Sequence, residues 1–345
     1  MAGVRLDGRS LSIDALWRIA EGAEVAITDE ARDAMAKGRA IVERHLKEGI
    51  PVYGLNTGLG SKAGQALPAE ALQGFSEQVV RGRAHSVGPL LSAQEVRAVM
   101  AVRLNTMLTG ASGARPALAE RLMAMLNGHV TPSVPRIGSI GASDLIVMAT
   151  LALAVMDGFP LAPKDGLVLC SNTAFSAGLA ALVAHEAHRA LDTLQVAGAL
   201  TLTGFRGNRA PFTAEALGLR NDPHMIAAGQ GIHELTEGLG PARRFQDPLS
   251  LRCMALIHGA AYGELDRLDE TVTVEINTAS DNPAVILASE TMTGTANFQM
   301  PHLTMALDGM ARALAMAANE IISRFARLMN EAASGLPPLL AAREA

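Results

Sequence analysis

Apolar positions recur every three or four residues over most of the chain, the period of helices that bury one face. After a short start, one amphipathic helix is predicted over roughly 29–47, and further helices over 68–85, 92–109 and 114–127. Ser92 with Glu95 three residues on makes a capping box for the third of these four. Pro116 stands near the first turn of the fourth, and Asn127-Gly128 stops it. An apolar helix follows Asp144, and Pro160 to Pro163 break the chain. Residues 173–202 read as a nearly unbroken Ala/Leu helix, 203–247 as irregular, and 248–272 and 301–330 as helices. In the last helix Leu303, Leu307, Met310, Leu314, Ala317, Ile321, Phe325 and Leu328 form a seam at alternating spacings of four and three, as between bundled helices. There is no alternation of strands with helices and no repeat of fixed period. The expected fold is all-α, long helices packed side by side, with a loop-rich N-terminal part over 1–165 and a long-helix bundle over 166–345.

Composition narrows the function classes. Apolar residues make up 49% of 345, so a sizeable core can form, while aromatics are only 3%. The net charge of −5 comes without a basic block, which argues against nucleic acid. Cys170 and Cys253 make neither a disulfide framework nor a zinc pair. MAGVRLDGRS lacks the apolar core of a secretory signal, and apolar stretches such as Leu145 to Met156 are too short for a bilayer. A cytoplasmic protein with no membrane partner is the expectation.

Some stretches are too polar or too constrained for plain bundle sequence. IPVYGLNTGLGSKAG, from Ile50 to Gly64, must be a loop, and it holds Tyr53, one of only two tyrosines. A loop phenol is either a packed ring or an acid–base group. Arg252 in QDPLSLRC, opening an otherwise apolar helix, needs a carboxylate from protein or substrate. In EINTASDNP, local backbone hydrogen bonding is the simpler role for Asp281 and Asn282. ANFQ, with Phe298 and Gln299, precedes the seam helix as a cap or loop. His185-Glu186-Ala187-His188 is not HExxH, because its histidines are three apart, so no metal is expected there. Arg81-Gly82-Arg83 reads as surface charge before it reads as an anion clamp. At PRIGSIGASDL a glycine loop turns into a helix, with Ala142, Ser143 and Asp144 at the junction.

Taken together and in order, these blocks resemble the histidine/phenylalanine ammonia-lyase family and its aminomutases. Tyr53 to Gly60 resembles the tyrosine loop, Gly110 to Pro116 the Gly-x-Ser-Gly-x-Arg-Pro block, and Gly138 to Leu145 the Gly-Ser-x-Gly-Ala-Ser-Gly-Asp-Leu signature. QDPLSLRC, EINTASDNP and ANFQ resemble three further blocks. The resemblance spans roughly 25–340. It implies an ammonia-lyase or aminomutase acting on a small amino acid by C–N elimination, as a homotetramer whose active sites combine several subunits. It also implies methylideneimidazolone (MIO), an electrophilic group cyclised from Ala-Ser-Gly, with roles falling on Tyr53 as base, Ala142, Ser143 and Asp144 at the electrophile, and Arg252 at the substrate carboxylate. Asn172, Gln246, Asn277, Phe298, Gln299 and Arg83 fall at further substrate-binding positions.

The pattern departs from the family at the chemistry. The glycine after Ser143 is missing, so Asp144 would have to supply the ring nitrogen, with a side chain where glycine tolerates strain best. This argues against ring closure. Arg83 stands for a histidine, Leu249 for a tyrosine and Gln299 for a histidine; the asparagine Asn172 is displaced by one, and the Ser-Glu-Arg-Arg block is largely lost around Ile321 to Arg324. Helices that follow in the family are expected to be absent beyond Ala345. Two alternatives remain open: an MIO-less homologue performing another elimination, isomerisation or cyclisation, and a non-catalytic homologue that binds a small acid. In each, Tyr53, the helix mouth and Arg252 are expected to meet at one small cavity.

Overall fold

The computed structural model describes residues 3–341. Helices supply nearly all of its regular structure. The chain begins with β1 (Val4–Leu6), α1 (Ile13–Ala20) and β2 (Val25–Ile27), then α2 (Asp29–Lys47), α3 (Ala69–Arg81), β3 (Val87–Leu90), α4 (Ala93–Met107), α5 (Pro116–Asn127) and β4 (Pro135–Ile137). Next come α6 (Leu145–Val155), α7 (Asp165–Cys170), α8 (Ala174–Gly204), α9 (Ala214–Gly218), α10 (Pro223–Leu235), α11 (Leu249–Arg252) and α12 (Met254–Glu275). The chain closes with β5 (Ala284–Ile286), β6 (Thr291–Thr293), α13 (Pro301–Leu328) and α14 (Glu331–Ser334). The strands pair two by two, β1 with β2 in parallel and the others antiparallel. The Ser92 capping box forms at α4, with both reciprocal bonds, and Pro116 opens α5.

Packing divides the chain into two compact units, one of residues 1–185 and 271–303 and another of 186–270 and 304–345. In the first, α4 is the core: every residue from Val96 to Met107 is buried. A helix buried all round must satisfy its polar side chains internally. Arg97 donates to the carbonyls of Ile19, Ala23 and Leu126, which are helix-end acceptors of α1 and α5 and the turn between α1 and β2. Arg103 pairs with Asp281 through bonds of 2.7 and 3.2 Å. Gly38 of α2 lies so close to Gly110 that a Cβ there would stand 2.1 Å from the Gly110 carbonyl oxygen. The second unit packs Phe205, Phe212, Leu217, Met225, Ile232, Leu251 and Met254 into one cluster.

Three expectations change. The stretch 203–247 is not irregular throughout, for α10 buries Met225, Ala228, Gly229 and Ile232 along one stripe. The buried line of α13 runs through Leu303, Ala306, Met310, Ala313 and Ala317 to Glu320 and Arg324, whereas Leu314, Ile321 and Phe325 of the expected seam are 39%, 46% and 58% exposed. By length and composition 165–204 is long and apolar enough to cross a bilayer, against the expectation that no stretch is; 78% of its most apolar window is buried inside the fold, as in a core helix. His185 stacks on Trp17 with ring centroids 4.0 Å apart, and His188 bonds Asp269 at 2.6 Å. Among the described residues no group of His, Cys, Asp and Glu is arranged to hold a metal ion.

Candidate active site

The tyrosine loop is folded back on itself by its own hydrogen bonds. Asn56 accepts from Val52 N–H at 2.7 Å and donates to Ile50 O at 2.8 Å. Gly54 has a left-handed φ of +63°, which favours glycine, and a Cβ there would also push aside the Leu167 and Leu59 methyls at 2.5 and 2.6 Å. The loop returns Gly60 N–H to the Tyr53 phenol oxygen at 3.1 Å. That bond supplies a donor to the oxygen, which would steady negative charge there once the phenol has given up its proton.

Facing it is the mouth of α6. Ser143 adopts φ +65°, a strained conformation for a residue with a side chain. Its N–H donates to Phe298 O at 2.9 Å and its hydroxyl to Asn172 O at 3.2 Å. Ala142 pairs with Gln299 across an isolated bridge. Asp144 N–H also donates to Asn172 O, at 2.8 Å. The Asp144 side chain is fully buried and accepts from Ser139 Oγ at 2.6 Å, Ser176 N–H at 2.9 Å and Ser176 Oγ at 2.8 Å. It therefore caps the first turn of α8 from outside, where a carboxylate is favoured. Burial pushes its pKa up from the ordinary value, and these hydrogen bonds oppose that rise.

Between loop and helix mouth lies a hollow of about 160 Å³. Tyr53, Arg83, Ser143, Ser171, Asn282 and Phe298 line it together with Ala142, and Leu59, Leu145 and Leu167 form its apolar wall. Arg83 donates to Val79 O at 3.1 Å. No carboxylate lines the hollow, and Arg83 has no ion-pair partner among the described residues. Cys170, beside it, is fully buried, which pushes its thiol up to about 12 although the nearby Arg83 charge pulls the other way.

Of the residues singled out from sequence, Tyr53, Arg83, Ala142, Ser143 and Phe298 meet here. Asn172 stands behind them as a joint: its side chain donates to Val168 O and Leu169 O and accepts from Ala174 N–H. Asn277 is spent elsewhere, its amide bonded to Leu11 N–H and O, Thr273 O and Asn105 Nδ2, which leaves no group for a ligand. Gln246 and Arg252 belong to the second unit and do not line this hollow. Arg252 ends α11, half-buried, with its Nε lacking a partner, so the internal salt bridge considered for it is not made among the described residues. Asp281 is not a local turn residue, since its carboxylate holds Arg103, and Asn282 instead accepts from Thr295 N–H at 3.0 Å. Ser139, Ser171, Ser176 and Asn282 escape the sequence reading; their roles depend on elements remote in the chain.

The MIO ring requires the Asp144 nitrogen to attack the Ala142 carbonyl. That nitrogen is committed to Asn172 O, the carboxylate behind it is held by three donors, and Ser143 N–H is held by Phe298 O. The residues present do not fit the ring.

A profile described as "Aromatic amino acid lyase" matches residues 11–160 and 157–345. Histidine ammonia-lyase of Anaeromyxobacter sp. (strain K) is 33% identical over 381 residues, covering 99% of this chain and 75% of that protein. Histidine ammonia-lyase of Streptococcus gordonii is 31% identical, over 98% of this chain and 71% of its own. Among solved structures, tyrosine aminomutase from Streptomyces globisporus superposes with a TM-score of 0.91 at 27% identity, covering 100% of this chain and 74% of that one. The ergothioneine-degrading enzyme ergothionase from Treponema denticola gives 0.90 at 26%, covering 97% and 73%.

Proposed function

Because this chain belongs to the aromatic amino acid lyase family, whose members of known name above include ammonia-lyases and aminomutases, we propose that it is a carbon–nitrogen lyase for a small amino acid, centred on the Tyr53–Ser143 hollow. The observation that carries this reading is the pairing of a hydrogen-bonded loop phenol with the strained serine across about 160 Å³. Pockets for drug-sized ligands hold roughly 300–1,000 Å³, so the space suits a small substrate.

The steps follow from the side chains. Tyr53, as phenolate steadied by Gly60 N–H, takes a proton from the substrate's β-carbon. The C–H pair forms the double bond, the C–N bond breaks, and the ammonium group leaves as ammonia. Asn282 and Ser171 bind and orient the substrate, and Phe298 and the leucines keep water out. Arg252 holds the α-carboxylate from another copy, in a cytoplasmic homotetramer that combines subunits at each site as the family resemblance implies. Ala142, Ser143 and Asp144 stay an ordinary peptide, a reading supported by the commitment of the Asp144 nitrogen to Asn172 O.

Two measurements test this. Intact mass should equal the sequence mass; a deficit of about 36 Da, two waters, would mean the ring forms. Ammonia release should be found on a panel of amino acids, and Tyr53→Phe should lower it by about 100-fold or more with unchanged melting. A panel with no ammonia release from any amino acid ends the lyase reading.

A further inference from the structure

Arg83 poses a question that the α-carboxylate does not answer. It is a half-buried cation on a hollow with no acidic lining, and its one hydrogen bond goes to Val79 O within its own helix end. Asp144, the carboxylate at the adjoining mouth of α6, is fully buried and held by Ser139 and Ser176. A guanidinium so placed is matched by a bound anion, most strongly by a planar carboxylate taken two-pronged. We infer that the substrate is an amino dicarboxylate whose second carboxylate sits on the β-carbon and is held by Arg83.

This rests on the lyase reading and deepens it. It also explains how elimination proceeds on an unmodified peptide. A β-proton next to a carboxylate is more acidic than one next to a ring or alkyl group. When Tyr53 removes it, the electron pair moves onto the side-chain carboxylate as its aci-form, a second negative charge placed against Arg83. Collapse of that form makes the α,β double bond and expels the α-ammonium group as ammonia. The products are an unsaturated dicarboxylate, ammonia and the neutral phenol, and no oxidant or further reactant is needed. The cationic site itself lowers the barrier that an electrophilic group lowers in the resembled family.

The test uses the full chain with L-aspartate as probe, beside L-alanine, L-histidine and L-phenylalanine, with ammonia release and the ultraviolet absorbance of the unsaturated product as readouts. L-aspartate should be the preferred substrate, and Arg83→Gln should lower the ratio of kcat/KM for aspartate over alanine by about 100-fold, with Arg83→Lys restoring part of it. Turnover confined to neutral or aromatic amino acids overturns the inference while leaving the lyase reading intact. So does an equal loss on all substrates in Arg83→Gln, which would make Arg83 the α-carboxylate clamp. If no amino acid releases ammonia, the lyase reading fails and binding decides. Succinate raising the Tm of the wild type but not of Arg83→Gln, with butyrate inert in both, upholds the dicarboxylate site. Equal shifts from succinate and butyrate overturn it.

Discussion

The buried pair Arg103–Asp281 yields an asymmetric prediction. The two side chains are 0% and 3% exposed, joined at 2.7 Å, and Asp281 also faces the fully buried ammonium of Lys164. Removing one partner of such a pair costs about 3–5 kcal/mol, because the other is left buried and uncompensated. The two single changes are not equivalent. Asp281→Asn strips Arg103 of its partner and Lys164 of its stronger counter-charge, so it belongs near the upper end of about 3–5 kcal/mol. Arg103→Met leaves Asp281 with Lys164 as a surviving counter-charge, so it belongs near the lower end of that range. The double variant Arg103→Met with Asp281→Leu should cost less than the sum of the two single changes. Urea unfolding followed by circular dichroism at neutral pH gives all three values. A loss under about 1 kcal/mol for Asp281→Asn, or a larger loss for Arg103→Met than for Asp281→Asn, would refute the account of Asp281 as the leading counter-charge of Arg103 and Lys164, with Asp165 acting on Lys164 more weakly.

Two further outcomes concern stability. Gly38→Ala should cost about 1–3 kcal/mol, since its Cβ would meet backbone at 2.1 Å, whereas Gly64→Ala, with nothing within 4 Å, should stay within about 0.5 kcal/mol by thermal melting. Burial holds the Lys164 ammonium down at about 8 from its ordinary 10.5. Between those values the unfolded lysine still binds a proton that the folded one has released. Stability relative to Lys164→Met should therefore rise with pH across that window, by on the order of 3 kcal/mol at most, in parallel urea titrations.

Much of the helical framework is legible in the sequence, because periodicity and caps are local signals. α2 runs over 29–47, the Ser92 capping box starts α4, and Asn127-Gly128 ends α5. α10 hides in plain view: Pro223 and the Met225, Ala228, Gly229, Ile232 stripe are present, but its glycines and short length resemble a loop. β1 and β2, three residues each, are too short to show any alternation. At the candidate site, Tyr53, Arg83, Ser143 and Phe298 are reachable through block resemblance. Asn282, although inside the EINTASDNP block, and Ser171 each look like an ordinary turn residue until remote elements close around them. Asp281 shows the same limit, its partner lying 178 positions away. The commitment of Asn277 to four hydrogen bonds is equally invisible in its motif.

The double use of Asn172 O, by Ser143 Oγ and Asp144 N–H, bears on how this chain can change over time. Substituting Asp144 by glycine would write Ala-Ser-Gly in one step, yet it would strip the first turn of α8 of its external cap and orphan Ser139 and Ser176. Inserting a glycine instead would keep the carboxylate but push apart two backbone bonds that flank the junction. Neither route to the family's tripeptide is level ground, because each disturbs hydrogen bonds that now tie the α6 and α8 starts together.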